Sequence, residues 1–388
     1  MKKILQIEKR INENINYIET LKNKKGIKVK QDGKYYLFRY NQLDDNCNFS
    51  NKIVQECRSV ILKNENGIFK RVCVPFFKFF NYGEELGKPL FEKMKKRKLY
   101  CYHKIDGAMI SLWFDDGYWH ISTSGNIDAH KALISNPISK FQNYGDLFDW
   151  CAKNQNLDLT RLDKNCTYIF ELVGKDIRVV VPYEENKIYH TATRNNNTLR
   201  ENFKYIGIEQ PKSFNSEGVN VALKYRDGLT TDCEDYEGLV VRDKYYNRLK
   251  MKPDIYIKLS MLNNNGVITP TRIIDMIMNK NDDDFVAYFP NYKNIIEEYK
   301  EKRKKCSEAL IEELSYLIDH KEWCNVDKRK ELYELKKENV LLTHIMKSVI
   351  PISQDALKKE NLKGYVENVL NSTYYDHKKS YLNLLEKF

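Results

Sequence analysis

The chain has 388 residues, of which 65 are basic and 54 acidic, so its net charge is +11. This length is typical of two or three domains, and an apolar fraction of 42% allows a sizeable core. The basic excess favours a polyanionic partner, because neutralising phosphates releases counterions, but an anionic membrane surface responds to the same charge.

Membrane insertion and secretion are not expected. No stretch approaches the roughly 20 apolar residues that a membrane-spanning helix needs, and charge returns at Glu8 before any signal-peptide core forms. The nine cysteines form no CxxC pair and the seven histidines have no ligand spacing. These patterns indicate reduced thiols in a cytoplasmic or nuclear protein and exclude a disulfide framework or a zinc site.

The chain begins with a predicted helix and continues with strands. Two hairpins are indicated by Asp-Gly pairs, which tolerate positive φ angles in tight turns. A further helix is expected near 137–153. The N-terminal helix is predicted from isoleucines at helical spacing, which are Ile4, Ile7, Ile11, Ile15 and Ile18. The hairpins are 27–30 with 35–40 around Asp32-Gly33, and 109–123 around Asp116-Gly117; the other predicted strands are 58–62, 68–74, 167–173, 177–182 and 238–242.

The character of the sequence changes after about residue 262. Strand signals stop, and apolar residues recur at helical spacing among Glu and Lys over 295–317, with further helices predicted at 327–349 and 354–371. We therefore expect an α+β domain built on antiparallel strands over 1–262, followed by an all-α domain over 263–388.

The segment Lys104-Ile105-Asp106-Gly107 lies between two short strand-like runs. Lysine becomes a nucleophile when desolvation or neighbouring cations remove its proton. The glycine allows a phosphate to approach the backbone closely. The four-residue pattern alone is weak, because a surface turn explains it equally well.

Charged residues in a fixed order strengthen the motif. Lys250 and Lys252 are two residues apart on a strand, so both point to one face, where two cations fit a phosphate clamp and also lower the pKa of a nearby lysine. The ordered set is Arg58 in ECRSVIL, Lys78 in PFFKFFNYGE, Lys104, Glu171 in YIFELVGKDIRVVVPY, Glu237 in EGLVVRD, and Lys250 and Lys252 in LKMKPDIYIKL.

This ordered set resembles the covalent nucleotidyltransferase superfamily of ATP-dependent ligases and RNA-capping enzymes. Within it, PFFKFFNYGE upstream of KIDG is similar to the bacteriophage-type RNA ligase 1 family over residues 35–262. The resemblance implies an antiparallel-sheet nucleotidyltransferase domain, ATP-grasp-like in fold, and a helical C-terminal domain that contributes RNA or tRNA specificity.

The resemblance also implies an activity: ATP-dependent joining of RNA 3′-hydroxyl and 5′-phosphate ends through a lysyl–AMP intermediate. The cofactors are then ATP and Mg²⁺ or Mn²⁺. The catalytic residues that it implies are Lys104 as the nucleophile with Lys250 and Lys252 on the α-phosphate. The nucleotide-binding residues that it implies are Arg58, Lys78, Phe80, His103, Asp106, Gly107, Glu171 and Glu237, and Glu237 is also the metal residue.

One position departs from the family pattern. A basic residue before a glycine is expected after the nucleophile strand, but Ser124 precedes Gly125 here. A phosphate or RNA contact expected at this point is therefore missing or replaced by hydroxyl groups.

Three alternatives stay open at this stage. A capping guanylyltransferase or a DNA ligase would share the lysine chemistry, but both usually carry strands after the last lysine motif, where helices are predicted. A non-catalytic RNA-binding protein on the same scaffold would not need the full charged set. The expected partner is RNA, as single-stranded ends or a nicked tRNA loop, and the protein is expected to be a monomer. The role that this suggests is tRNA repair, with a separate kinase or phosphatase preparing the ends.

Overall fold

The computed structural model describes residues 4–41, 44, 46–228, 237–253, 256–257, 260, 268–278, 282, 285–286, 289–319, 362–376, 378–386 and 388. The chain divides into two compact units, Met1–Val267 and Ile268–Phe388. Antiparallel sheets dominate the first unit, so the α+β class expected from the sequence is confirmed for it. The strands described are β1 (Ile27–Asp32), β2 (Tyr35–Tyr40), β3 (Arg58–Glu65), β4 (Ile68–Cys73), β5 (Phe80–Asn81), β6 (Lys98–His103), β7 (Ala108–Asp115), β8 (Tyr118–Thr123), β9 (Cys166–Val173), β10 (Lys187–Asn195), β11 (Glu201–Asn202), β12 (Ser213–Glu217), β13 (Leu239–Arg242) and β14 (Arg248–Met251).

Helices of the first unit pack on these sheets. The sequence predicts one N-terminal helix, but the structure has two. The chain becomes extended at Asn14, which ends the first helix before the second begins. The helix predicted near 137–153 begins only after Asn143, whose side chain accepts a hydrogen bond from the Asp146 amide and caps it. The helices are α1 (Gln6–Glu13), α2 (Tyr17–Lys25), α3 (Lys52–Glu56), α4 (Lys88–Met94), α5 (Tyr144–Asn154) and α6 (Val219–Gly228).

Three sheets organise the unit. The first has the order β1-β2-β3-β4 and shares a core with α1, α2 and α3. The second has the order β11-β10-β9-β7-β8 and packs on α5. The third has the order β12-β6-β13-β14-β5, in which only the β14–β5 pair is parallel, and it packs on α4 and α6. Both predicted hairpins are confirmed, as β1–β2 and β7–β8.

The strand predicted over 177–182 is wrong. A short 3-10 turn covers Lys175–Ile177, and the valines that follow lie outside any strand. The backbone amides of Val180 and Val181 donate to the carboxylate of Asp106 instead of a neighbouring strand. The valine run is apolar and buried, as a strand would be, but its hydrogen bonds serve a loop.

The described elements of the second unit are helical. They are α7 (Pro270–Met278), a 3-10 turn (Pro290–Tyr292), α8 (Lys293–Asp319), α9 (Leu362–Asp376) and α10 (Lys378–Leu385). The helix predicted at 327–349, and the first part of the one at 354–371, lie outside the described residues. Among the residues described, none of the helices combines the length and apolarity required to span a bilayer.

Candidate active site

A cavity of about 120 Å³ opens in the first unit, and its wall comes from all three sheets. Apolar and aromatic side chains line most of it, as is usual for a small-molecule site with a few polar groups. The aromatic lining residues are Phe76, Phe79, Tyr102 and Phe203, and the charged or polar ones are Arg58, His103, Lys104, Glu171, Thr191 and Arg248. Four residues predicted from the sequence, Arg58, His103, Lys104 and Glu171, are therefore part of this wall.

Backbone pairing places Lys104 beside Glu237. Strands β6 and β13 pair up to His103 and Leu239. The pairing then continues beyond both strands, because the Lys104 amide donates to the Gly238 carbonyl (2.7 Å) and the Glu237 amide donates to the Lys104 carbonyl (3.2 Å). Two residues 133 positions apart in the chain are thus fixed as neighbours.

The Glu237 carboxylate bridges two lysines. Lys104 Nζ pairs with Oε2, and Lys252 Nζ lies 2.6 Å from Oε1. Glu237 is 4% exposed, so this charge has almost no access to solvent. The two lysines offset the desolvation of the carboxylate and keep the pKa of Glu237 below its ordinary value, despite burial.

The expectation that neighbouring cations lower the pKa of Lys104 is wrong for the unliganded protein. Burial acts to lower this pKa, but the carboxylates of Glu237 and Glu171 outweigh it and raise the pKa above the ordinary lysine value. The lowered pKa belongs to Lys250 instead, where burial, assisted by Lys78 and Arg58, brings it to about 7. Lys104 is therefore held as an ion-paired ammonium.

Glu171 on β9 is the second carboxylate of the site. Burial raises its pKa to about 7, although Lys104 and Arg58 oppose the shift. The negative charge is thus only partly compensated by the side chains around it.

Replacing Glu171 with Gln should reduce the pH dependence of stability. The folded pKa lies above the ordinary value of 4.5, so the contribution to stability is complete below the unfolded pKa and is lost as pH rises through about 7. We expect the free energy of unfolding to fall by roughly 2 kcal/mol less between pH 5 and pH 8 in Glu171→Gln than in wild type. Urea unfolding without divalent cations measures this. Exposed Glu217→Gln is the control, and an equal change in both variants contradicts the prediction.

Asp106 holds the loop after the nucleophile. Its Oδ2 accepts from the amides of Val180 and Val181, both at 2.8 Å, and its Oδ1 accepts from the Tyr256 hydroxyl at 2.5 Å. The Asp106 amide in turn donates to the Tyr183 hydroxyl (3.2 Å). The carboxylate is 3% exposed, so its role is to position the loop.

Gly107 is required for a close approach of the protein backbone on the side where a Cβ atom would lie. A Cβ atom at this position would lie 2.2 Å from the Leu172 carbonyl oxygen and 2.8 Å from a Val173 methyl group. Any side chain here would separate the nucleophile loop from β9, which carries Glu171.

The aromatic residues of segment 76–80 lie in different surroundings. Phe76 and Phe79 line the cavity, whereas Phe80 is 5% exposed and packs in the core of the third sheet. The prediction that Phe80 forms the pocket wall is therefore wrong. The guanidinium of Arg58 lies 4.7 Å from the centre of the Phe79 ring. Phe79 thus lines the cavity and also holds a cation through its ring.

Lys78 projects into aromatic surroundings. Its ammonium lies 4.5 Å from the ring centre of Phe49, 5.5 Å from that of Tyr40 and 5.6 Å from that of Phe80. Burial lowers its pKa, Glu84 opposes this, and Arg58 adds to it. Lys78 is not among the residues that line the cavity.

Two polar residues of the wall were not predicted from the sequence. Arg248 pairs with Glu201 through both guanidinium nitrogens and lies 4.6 Å from the ring centre of Phe76. The sequence spacing could have indicated this residue, because Arg248 precedes Lys250 by two residues and therefore lies on the same face of the strand. Thr191 lies at a register shift in β10, where its hydroxyl donates to the Ile169 carbonyl at 2.9 Å; no sequence signal marks this bulge.

A cation from another strand lies near Ser124, where the family pattern predicts a basic residue. Ser124 accepts a hydrogen bond through its carbonyl from the Ser59 hydroxyl (2.7 Å). The Arg39 guanidinium lies 2.9 Å from where a Cβ of Gly125 would be. Strand β2 therefore supplies a cation beside this turn.

The carboxylates near Lys104 do not form a complete metal cage. Among the described residues, no three His, Cys, Asp or Glu side chains are placed to hold a metal ion together. Mg²⁺ needs no such cage, because it is commonly bound by one or two carboxylates, several waters and the phosphates of a substrate. The half-buried Glu171, whose charge is incompletely compensated, and the buried Glu237 fit an ion of this kind.

A lysine in a cavity wall, next to the carboxylates of Glu171 and Glu237 and sharing that wall with Arg58 and Arg248, is an arrangement that can transfer a nucleotidyl group through the lysine. The comparisons with known proteins agree. The family model of RNA ligases of the T4 RNA ligase 1 type matches residues 56–256, more than half of the chain. The chain belongs to this RNA ligase family, and the family and enzyme class expected from the sequence are confirmed.

Individual relatives are similar over longer stretches. The RNA ligase of Rhodothermus phage RM378 is 29% identical over a 330-residue alignment that covers 69% of this chain and 73% of the relative. The putative bifunctional polynucleotide kinase/RNA ligase of Autographa californica nuclear polyhedrosis virus is 30% identical over 74% of this chain, which spans only 42% of that protein. A solved archaeal ATP-dependent RNA ligase aligns over 64% of this chain and 63% of its own length at 12% identity, with a TM-score of 0.43.

Proposed function

We propose that the protein joins RNA 3′-hydroxyl and 5′-phosphate ends with ATP, through Lys104. The Lys104 ammonium releases a proton to water, and its Nζ then attacks the α-phosphorus of ATP, so that a P–N bond forms and the bond to pyrophosphate breaks. An oxygen of the RNA 5′-phosphate then displaces Lys104 and receives the AMP. Finally, the 3′-hydroxyl attacks that 5′-phosphate, loses its proton and releases AMP. The observation that carries this proposal is Lys104 in the cavity wall, paired with Glu237 and sharing that wall with Arg58 and Arg248.

The cations in and near the cavity wall suit the phosphates. Arg58 and Arg248 line the cavity, and Lys250 lies behind Phe79 with its ammonium 5.6 Å from the ring centre. A triphosphate supplies negative charge beside Lys250, so binding it stabilises the charged form of that lysine. Arg58 and Lys78 are assigned to the β- and γ-phosphates, and Lys250 and Lys252 to the α-phosphate.

The carboxylates have a different role. Glu171 and Glu237 would hold a divalent cation, Mg²⁺ or Mn²⁺, together with the phosphates; such an ion supplies positive charge where negative charge develops. Glu171 alternatively contacts the ribose. Glu237 keeps Lys104 oriented until the nucleotide binds. His103 contributes to the wall next to the nucleophile, and Asp106 and Gly107 fix the loop.

The division of labour along the chain is also part of the proposal. Residues 1–262 form the adenylyltransferase domain, and 263–388 form an all-α domain that contributes RNA or tRNA specificity. Repair of nicked tRNA by a monomer, with a separate kinase or phosphatase preparing the ends, is the role that we assign.

The test is ligation of a 5′-phosphorylated single-stranded RNA. We expect circular product with ATP and Mg²⁺, and none with GTP or with a 5′-hydroxyl RNA of the same sequence. GTP-dependent labelling of the protein would favour a capping reaction. RNA binding without any AMP or GMP adduct would favour a non-catalytic protein and contradict the proposal.

A further inference from the structure

The hairpin between β13 and β14 ends in two tyrosines that face solvent. Tyr245 is 61% exposed and Tyr246 is 40% exposed. Tyr246 has a φ of +65°, a left-handed conformation that favours glycine or asparagine and is rare for a bulky residue. Strained residues of this kind are concentrated at functional sites.

The tip is rigidly held. Asp243, whose side chain is fully buried, accepts through Oδ1 from the amides of Tyr245 (2.8 Å) and Asn247 (3.0 Å). Its Oδ2 accepts from the Asn247 side chain (2.8 Å) and from Arg97 (2.6 Å). The tyrosines are therefore presented at a fixed position, which lowers the entropy cost of binding a ligand.

Cations surround the two rings. The Arg97 guanidinium and the Lys244 ammonium each lie 5.1 Å from the centre of the Tyr245 ring. The Arg242 guanidinium lies 5.2 Å from the centre of the Tyr246 ring. Exposed aromatic rings interleaved with cations attract a ligand with both flat rings and negative charge.

This surface is continuous with the wall of the cavity. Tyr102 and Phe203 line the cavity and stack on each other with ring centres 5.5 Å apart. The Arg242 guanidinium lies 4.5 Å from the Phe203 ring on one side and 4.5 Å from the ring of Tyr100 on the other. Tyr100 is 38% exposed and precedes Tyr102 by two residues on β6, so both lie on one face of the sheet.

We propose that this tyrosine platform, defined as Tyr100, Arg242, Lys244, Tyr245 and Tyr246, binds single-stranded RNA next to the ends that are joined. The proposal rests on the proposed function for the identity of the polyanion. Bases stack on Tyr245 and on the exposed faces of Tyr100 and Tyr246, while Lys244 neutralises a phosphate. Stacking on tyrosine has little base preference, so the platform accepts RNA ends of any sequence.

The first test is Tyr245→Ala, with Tyr118→Ala as the matched control. Tyr118 is a 73% exposed tyrosine beside the turn of another hairpin, β7–β8. The affinity for a fluorescein-labelled, 5′-phosphorylated single-stranded RNA is measured by anisotropy without ATP, and AMP labelling is measured separately without RNA. We expect Tyr245→Ala to weaken RNA binding about 10-fold with unchanged AMP labelling, and Tyr118→Ala to change neither.

The second test is Tyr246→Gly, which separates function from stability. Glycine adopts a φ of +65° without strain, and this gain offsets the lost hydrogen bond from the Tyr246 hydroxyl to the Glu201 carbonyl (3.1 Å). We expect a nearly unchanged Tm together with weaker RNA binding. A lower Tm with full RNA affinity would mean that Tyr246 serves the fold alone.

The outcomes separate the two proposals. Unchanged RNA affinity in Tyr245→Ala, or equal losses in Tyr245→Ala and Tyr118→Ala, overturns the platform whether or not Lys104 is adenylated. Absence of an AMP adduct in wild type overturns the proposed function, while the RNA affinities measured without ATP still decide the platform. If the surface serves a protein partner instead, all RNA affinities match wild type, which also overturns it.

Discussion

Replacing Lys104 with alanine is expected to reduce AMP labelling of the protein to about a thousandth of the wild-type level or less. The result is not obvious from acidity alone. Lys250 has a pKa of about 7 and is largely neutral at pH 8, whereas Lys104 is held as an ammonium by Glu237 and Glu171. We nevertheless assign the nucleophile to Lys104, because it lines the cavity beside both carboxylates.

The variant Lys250→Ala is the decisive comparison. It removes a cation near the phosphates, so labelling should fall, by roughly 100-fold, but the remaining adduct should map to Lys104 by peptide mass spectrometry. An adduct on Lys250 in Lys104→Ala protein would contradict the assignment. Lys104→Arg adds a control for charge, since it keeps a cation next to Glu237 and removes the reactive amine.

The strands that carry the motifs could be predicted because each has a sequence signal. The hairpins were marked by Asp-Gly turns, and β9 by its run of apolar and aromatic residues. The failure at 177–182 has a physical reason. Consecutive valines predict a buried strand, but the partner of their amides is Asp106, more than 70 residues away. Burial was predictable, whereas the identity of the hydrogen-bond acceptor was not.

The details of the site depend on pairings that periodicity does not reveal. Residues 76, 77, 79 and 80 are all phenylalanine. The sequence therefore does not show which of them line the cavity and which pack in the core. The pKa order of Lys104 and Lys250 follows from which lysine lies against Glu237, and that contact depends on how the loop after β6 meets the start of β13. Charged residues in the sequence thus predicted four residues of the cavity wall, but not Arg248 or Thr191, and not the pKa order of the two lysines.

Replacing Glu237 with glutamine should slow AMP labelling by roughly 100-fold at pH 7.5 and move the acid limb of its pH–rate profile to lower pH. The first effect follows because the amide carries no charge to orient Lys104 and Lys252, or to share with a cation at the phosphates. The second follows because Glu237 is the strongest of the carboxylates that raise the pKa of Lys104. Without it, burial lowers that pKa, so the free amine appears at lower pH. The measurement is single-turnover labelling with ATP from pH 6 to pH 10.

The two readouts distinguish Glu237 from a residue needed only for folding. A destabilised protein loses labelling uniformly across the pH range and loses Tm, whereas the loss of an anion beside Lys104 changes the shape of the profile. Exposed Glu217→Gln, on β12 of the same sheet, is the control and should leave both rate and profile unchanged. A lower rate with an unshifted acid limb would show that Lys104 titration does not limit the reaction. The ion pair would then only position the nucleophile, and the proton of Lys104 would have to leave after the nucleotide binds.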